Sequence, residues 1–167
     1  MSKPAIITYQ LHLDNFSFLG KSSVVDQSSD FGEIWNRFFQ MGGYAPILPY
    51  AVDSSPVNIW FHDREGRWVY FQGLFVTDVD QAPEGYDLMD FPGGDYLGVT
   101  TEWMKTNEEA VGDAGNGRCN RYADTVPPPP RYVRADGEDS LIFRIEKENA
   151  DTPEGSRYEV WIPIQKI

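Results

Sequence analysis

The sequence contains very little cysteine, because Cys119 is the only one among 167 residues. A lone cysteine excludes an intramolecular disulfide and a zinc site built from clustered cysteines. Long apolar runs are missing too, since no stretch approaches the roughly 18 apolar residues of a membrane-spanning helix. The N-terminus lacks the basic segment and long apolar core of a secretory signal peptide. We therefore expect a cytoplasmic protein with no membrane partner.

Basic residues are scarce relative to acidic ones: Lys and Arg total 14, Asp and Glu total 26, and the net charge is −12. Such a chain repels phosphate backbones, so we expect no direct nucleic-acid partner, whereas cationic small molecules and basic protein surfaces are attracted. The two histidines, His12 and His62, have no Cys or carboxylate at ligand spacing, so no metal site is expected. The glycine-containing stretch 112–117 lacks the features of a phosphate-binding loop, and no cofactor is expected.

Aromatic side chains are plentiful, at 14% of the residues within a hydrophobic total of 41%. This composition supplies a core and leaves rings over for a pocket, so a disordered chain is excluded. The length suits one domain, and we expect residues 1–167 to form a single one.

Apolar periodicity predicts a β-α-β-β order in the first half. Residues 5–25 alternate as a strand does, with a bend or a break after Asp14-Asn15. Asp30 offers a helix N-cap with Glu33 three residues on, and Gly42-Gly43 ends the helix. The helix carries its apolar residues at steps of three and four, and two strands joined by a glycine turn follow it. The apolar helix residues are Phe31, Ile34, Trp35, Phe38 and Phe39, and the strands cover 57–63 and 68–79.

The second half repeats that order after a polar linker at 80–87. An aromatic-Leu-Gly pattern occurs at Phe18–Gly20 and again at Tyr96–Gly98, which suggests pseudo-repeats over about 4–79 and 86–167. Residues 112–139 have little periodicity, and we expect them to cross the surface in extended form. The other predicted elements are a strand region at 88–100, a short helix at 102–111, and strands at 140–148 and 157–165 joined by a polar hairpin at 149–156.

The last strand places Glu159 and Trp161 on one face and Val160, Ile162 and Ile164 on the other. A carboxylate among aromatic rings suits an organic cation, because the rings supply cation–π attraction and the acid supplies the countercharge. The alternative is that Glu159 faces water and Trp161 fills the core.

Four segments resemble the GyrI-like family, the effector-binding domain of AraC-type and MerR-type multidrug regulators. The family's first strand, which ends in Gly, resembles Phe16–Gly20, and its Ile/Leu-Trp-x-x-Phe helix motif resembles Ile34–Phe38. Its Pro-x-Gly-x-Tyr motif resembles Phe91–Tyr96, and its closing Glu-x-aromatic-Ile-Pro motif resembles Glu159–Ile164. Together these segments extend over nearly the whole chain.

The resemblance implies an α+β fold of two βαββ (SH2-like) repeats. They would form one curved antiparallel sheet with two helices on one face and a groove along the pseudo-twofold axis. It also implies binding of lipophilic, often cationic, compounds by Glu159, Trp161, Tyr96 and Trp35. Other aromatics in elements that should line or flank the groove are Trp60, Tyr70 and Trp103.

The chain also departs from the family pattern. An acid that often lies in the strand before the last is absent or displaced, because this chain has Phe143-Arg144-Ile145-Glu146 there. The fold should begin near residue 5, so we expect no DNA-binding helix-turn-helix before it and no one-component transcription factor.

Three functions fit this sequence. The first is a stand-alone binding protein for lipophilic, cationic aromatic compounds. The second is a gyrase-inhibitor-like module that binds a protein partner such as a topoisomerase or a regulator. The third is a hydrolase of reactive small electrophiles with Glu159 as general base. A single acid with no nucleophile–base pair makes turnover the least supported, so binding is favoured over catalysis.

Overall fold

The computed structural model describes residues 4–167, and in this part of the chain nine strands form one open antiparallel sheet. The strands are β1 (Ile6–Leu13), β2 (Phe16–Val24), β3 (Val57–His62), β4 (Trp68–Val76), β5 (Asp87–Phe91), β6 (Gly94–Thr101), β7 (Tyr132–Arg134), β8 (Ile142–Thr152) and β9 (Gly155–Lys166). The helices are α1 (Phe31–Gln40), α2 (Asn107–Val111) and α3 (Arg118–Thr125), with a 3₁₀ turn at Leu48–Tyr50 and a π turn at Asp113–Gly117. The expected α+β class is confirmed.

The strand order is β1-β6-β9-β8-β3-β4-β2-β5, and β7 pairs with the end of β9. β1 lies against β6 of the second half and β5 lies against β2 of the first half. The central β3–β8 pair joins the halves, and Asn58 faces Glu146 there. The counterparts in the two halves are β1 and β5, β2 and β6, β3 and β8, and β4 and β9. When each strand is exchanged for its counterpart, the order read from one edge equals the order read from the other. A duplicated unit would produce this order, and the repeat itself stays a prediction.

Helix α1 forms as its sequence predicts. The Asp30 side chain accepts a hydrogen bond from the Glu33 backbone N–H at 3.2 Å, which caps the helix. Ile34 and Phe38 lie four residues apart and are both buried against the sheet. Gly43, with φ of 60°, lies just past the end of the helix, in a conformation that favours glycine.

Helix α3 and strand β7 correct the prediction of an irregular crossing over residues 112–139. The buried residues of α3 are Cys119 and Ala123, four apart, and such small side chains give almost no periodic apolar signal. They pack on Val160 and Ile162 of β9, so α3 covers the same face of the sheet as α1. The predicted hairpin at 149–156 is also too long, because β8 and β9 continue to a two-residue turn.

The opposite face of the sheet curls into an aromatic core without helices. Phe75 of β4 and Trp161 of β9 are three strands apart, which is about 14 Å in a flat sheet. Their ring centroids are only 6.1 Å apart, and those of Phe61 and Phe91 are 5.3 Å apart. The sheet is therefore strongly bent around these rings. No helix within residues 4–167 has the length and apolar character needed to cross a membrane.

The close approach of β2 to β4 predicts a stability effect at Gly20. A methyl group there would overlap the backbone carbonyl of Gln72, whereas a methyl group at Gly94 would meet no heavy atom within 4 Å. We expect Gly20→Ala to lower the free energy of unfolding by about 3 kcal/mol, as overpacking does. Gly94→Ala is the matched control in urea unfolding, and equal stability of the two variants would contradict the close approach.

Candidate functional site

A row of buried polar side chains crosses the centre of the helix-covered face. Gln72 of β4 faces Asn58 of β3, and Asn58 faces Glu146 of β8. Directly opposed residues in antiparallel strands project from the same face, so the three side chains form one continuous row. Their exposed fractions are 0%, 9% and 7%, respectively. Such a row is unusual, because buried polar groups cost free energy unless they are hydrogen-bonded.

Within residues 4–167, the hydrogen-bond donors to Glu146 are all neutral. It accepts from Trp60 Nε1 at 2.7 Å, from Asn120 Nδ2 at 2.9 Å and from Tyr158 Oη at 3.2 Å. The nearby Arg144 guanidinium is turned towards Asp124, at 2.9 Å, and no salt bridge to Glu146 forms within residues 4–167. The Arg144 guanidinium reaches Glu146 only through Asn120, to which it donates at 3.0 Å, so the buried carboxylate has its hydrogen bonds but no direct ion pair among residues 4–167.

Aromatic rings surround the Trp60 side of this carboxylate. Trp60 packs on Tyr70 with ring centroids 4.6 Å apart, and Phe31 of α1 lies 5.5 Å from Trp60 and 5.3 Å from Tyr70. An open depression of about 430 Å³ adjoins these rings, a volume in the range of small-molecule sites. Its lining residues are Val25, Asp26, Gln27, Phe31, Trp60, Trp68 and Phe143. We call it the Trp60 depression.

Two buried tyrosines near Glu146 keep their protons. Burial raises the pKa of the Tyr70 hydroxyl well above its usual range, and the charge of Glu146 adds to that effect. The pKa of Tyr158 is raised for the same two reasons, in that order. At the rim, hydrogen bonds from Ser28 lower the pKa of Asp26. The depression thus has ionised Asp26 at its rim, and the tyrosines buried near Glu146 are neutral.

Glu159 lies on the opposite face, inside the curled side of the sheet. It accepts hydrogen bonds from Tyr9 Oη, from Asn149 Nδ2 at 2.5 Å and from Trp161 Nε1 at 3.3 Å. The Tyr9 ring reaches it by lying across Gly98, where a methyl group would come within 2.6 Å of the ring. Glu159 is therefore a second buried carboxylate with neutral partners, closed off by Tyr9 and Trp161.

A cavity of about 470 Å³ reaches the Trp161 side of that face without touching Glu159. Lys147 lies at its wall, 2.7 Å from the Asp53 carboxylate and 5.9 Å from the centroid of the Trp161 ring. The curled face therefore already holds an internal cation next to its tryptophan.

The seven predicted site residues do not share one groove. Those on the helix-covered face are Trp35, Trp60 and Tyr70, and those on the curled face are Glu159, Trp161 and Tyr96. Trp103 lies after β6, where the Arg157 guanidinium stacks on it at 4.1 Å. The expectation that Glu159 and Trp161 share a face is met, while the ligand-binding role of each residue stays a prediction.

Glu146 is the residue that sequence reasoning missed. In β8 it alternates with apolar Ile145 and follows Arg144 by two positions, a pattern that usually marks a solvent-facing side of a strand. The β3–β8 register places it opposite Asn58, and its hydrogen bonds to Trp60 and to Asn120 of α3 show that this side is covered. Among residues 4–167, no group of His, Cys, Asp and Glu side chains could hold a metal ion.

Comparison with known proteins gives a likeness in fold. No protein-family model matches the chain, and no curated protein matches its sequence. The structure of SAV2435 bound to tetraphenylphosphonium superposes with a TM-score of 0.70 at 13% identity, over 95% of this chain and 94% of that one. A proposed transcription regulation protein from Staphylococcus aureus MU50 gives 0.63 at 14% identity, over 95% and 98%. The EcmrR C-terminal domain gives 0.51 at 12% identity, over 97% and 99%.

These likenesses agree with the fold that the GyrI-like resemblance implies: an antiparallel sheet with its helices on one face. At such low identity they show the fold alone and do not identify the site residues of this chain.

The buried tyrosines predict loss of stability in alkali. Burial raises the pKa of Tyr96 to about 12 from a usual value of 10.0, and it raises those of Tyr9, Tyr44, Tyr70 and Tyr158 as well. Above pH 10 the folded chain then binds more protons than the unfolded chain, so stability should be intact below pH 10 and fall as the pH rises towards 12.

Phenolate absorbance of native and urea-unfolded protein, measured with unfolding curves at each pH, checks this expectation. Identical titrations of the native and unfolded chains would contradict it.

Proposed function

We propose that this chain is a small-molecule-binding domain that holds lipophilic, cationic aromatic compounds in the Trp60 depression, with Glu146 as the countercharge. The observation that carries the proposal is the buried Glu146 carboxylate, which has neutral hydrogen-bond donors and, among the residues that the structure describes, no salt bridge. One of those donors is the indole of Trp60, whose ring lines the depression. An aromatic cation stacked there would face the ring, and the carboxylate would lie at the Nε1 edge of that ring.

Physical chemistry favours an organic cation over a hydrated ion at this site. A quaternary or phosphonium centre loses little hydration on burial, and the faces of Trp60 and Phe31 attract it through their quadrupoles. A hydrogen bond from the indole N–H to a carboxylate makes the ring more electron-rich, which strengthens that attraction. The net charge of −12 raises the local concentration of cations at the surface.

One structural neighbour supports a lipophilic cation as the ligand. SAV2435, which shares the fold over most of both chains, is bound to tetraphenylphosphonium, a lipophilic cation. We infer a ligand of that chemical class for this chain, with the compounds themselves unspecified.

Glu159, the acid favoured by the sequence, is the second candidate for the countercharge. Its burial and its neutral partners Tyr9, Asn149 and Trp161 are the observations in its favour. Neither glutamate lines either cavity, but Glu146 accepts a hydrogen bond from Trp60, which lines the Trp60 depression.

Paired glutamine variants test the proposal. Titration calorimetry with tetraphenylphosphonium should show saturable binding to the wild type, and Glu146→Gln should weaken it about 10- to 100-fold. That range corresponds to about 1.5–3 kcal/mol for an interaction with a charged group. Glu159→Gln is the matched control, because it neutralises a buried glutamate of similar surroundings on the other face, and its affinity should stay within about twofold of the wild type.

The opposite pattern, with loss only in Glu159→Gln, would move the site to the curled face. Equal affinity in all three proteins would remove the countercharge role from both acids.

A further inference from the structure

Gln72 is buried at the floor of the helix-covered face without a hydrogen-bond partner. Its exposed fraction is 0%, and neither its Oε1 nor its Nε2 has a hydrogen-bond partner within residues 4–167. The Oδ1 atom of Asn58, which faces Gln72 across the β3–β4 pair, is also without a partner in that part of the chain. Two adjacent amides therefore present unpaired hydrogen-bonding atoms beside Glu146.

A purely structural role does not account for these amides. The next residue of β4 on the same face is Leu74, which is fully buried among apolar side chains. A leucine at position 72 would fill the same kind of space without leaving polar atoms unpaired, and buried polar groups are nearly always hydrogen-bonded. Unpaired buried groups therefore point to a partner outside the chain.

The position of Gln72 connects it to the Trp60 depression. Trp60 faces Tyr70, and Gln72 is two residues further along β4. Trp60 and Gln72 are therefore diagonal neighbours, whose Cα atoms are about 7–8 Å apart. Trp35 of α1 packs against the buried apolar group that contains Tyr70 and against the one that contains Leu74. Tyr70 and Leu74 precede and follow Gln72 on the same face of β4. We expect Trp35, which is partly exposed, to be the side chain that a ligand reaching the Gln72 amide would displace.

We propose that the ligand carries a neutral hydrogen-bonding group, an amide or a hydroxyl, about 7 Å from its cationic centre. Gln72 and Asn58 bind that group, while the aromatic rings and Glu146 bind the cation. This inference rests on the proposed function and narrows its ligand class from any lipophilic cation to one with a polar arm. The Gln72 side chain can both donate and accept, so it suits a carboxamide best.

A matched pair of phosphonium ions tests the proposal. Benzyltriphenylphosphonium has no hydrogen-bonding group. In (4-carbamoylbenzyl)triphenylphosphonium, a carboxamide is added to the benzyl ring, para to the methylene group that is bonded to phosphorus. We expect the carbamoyl compound to bind the wild type at least about tenfold more tightly, because it pairs amides that are otherwise unsatisfied. Gln72→Leu should abolish that gain and leave the affinity for the plain compound within about twofold.

The stability of the unliganded variant gives an independent readout. Gln72→Leu removes unpaired buried polar atoms, so its urea midpoint should equal or exceed that of the wild type. A lower midpoint would mean that the amide supports the fold, and it would overturn the proposal. If the leucine variant does not fold, Gln72→Met takes its place with the same expectations.

The outcomes separate this inference from the proposed function. Tight and equal binding of both compounds to the wild type overturns the polar arm and leaves cation binding in place. A gain that persists in Gln72→Leu also overturns it. Absence of binding by either compound overturns the proposed function, and the inference falls with it.

Discussion

The pairing of β3 with β8 is the constraint on which the candidate site depends. It joins the two halves into one sheet, and its register sets Asn58 against Glu146 and Trp60 against Arg144. A shift of either strand by one residue would turn its two side chains to the other face, away from their partners, because side chains alternate along a strand. The carboxylate, the indole that binds it and the neighbouring amide row therefore exist only because residues 86 apart in the chain meet in this register.

The two faces of the sheet differ in composition: one is an aromatic core, and the other has polar groups at its centre. The curled face is packed with rings such as Phe71 and Trp161, and even its acid, Glu159, is closed in by Tyr9. The helix-covered face carries charged and amide groups at its centre and an open aromatic depression at its side. The curled core holds the bent shape, and the polar centre of the other face is kept at a cost in stability that a ligand would offset.

Local patterns predicted the elements whose own residues carry a periodic signal. The cap at Asp30 and the apolar steps through Phe38 predicted α1, and the alternation through residues 5–25 predicted β1 and β2. The small buried residues of α3 gave no such signal. Glu159 was singled out because it is the first residue of a family motif, and its ligand-binding role stays a prediction. No local pattern singled out Glu146, because its surroundings come from Trp60 and Asn120, which lie far from it in sequence.

The central claim is that a lipophilic cation binds on the helix-covered face near Glu146. A crystal structure of the protein with tetraphenylphosphonium tests it most directly. Phosphonium density should lie in the Trp60 depression, with a phenyl ring stacked on Trp60 and the Glu146 carboxylate at the Nε1 edge of that indole. Density beside Trp161 and Lys147 on the curled face, with the Trp60 depression unchanged, would contradict it.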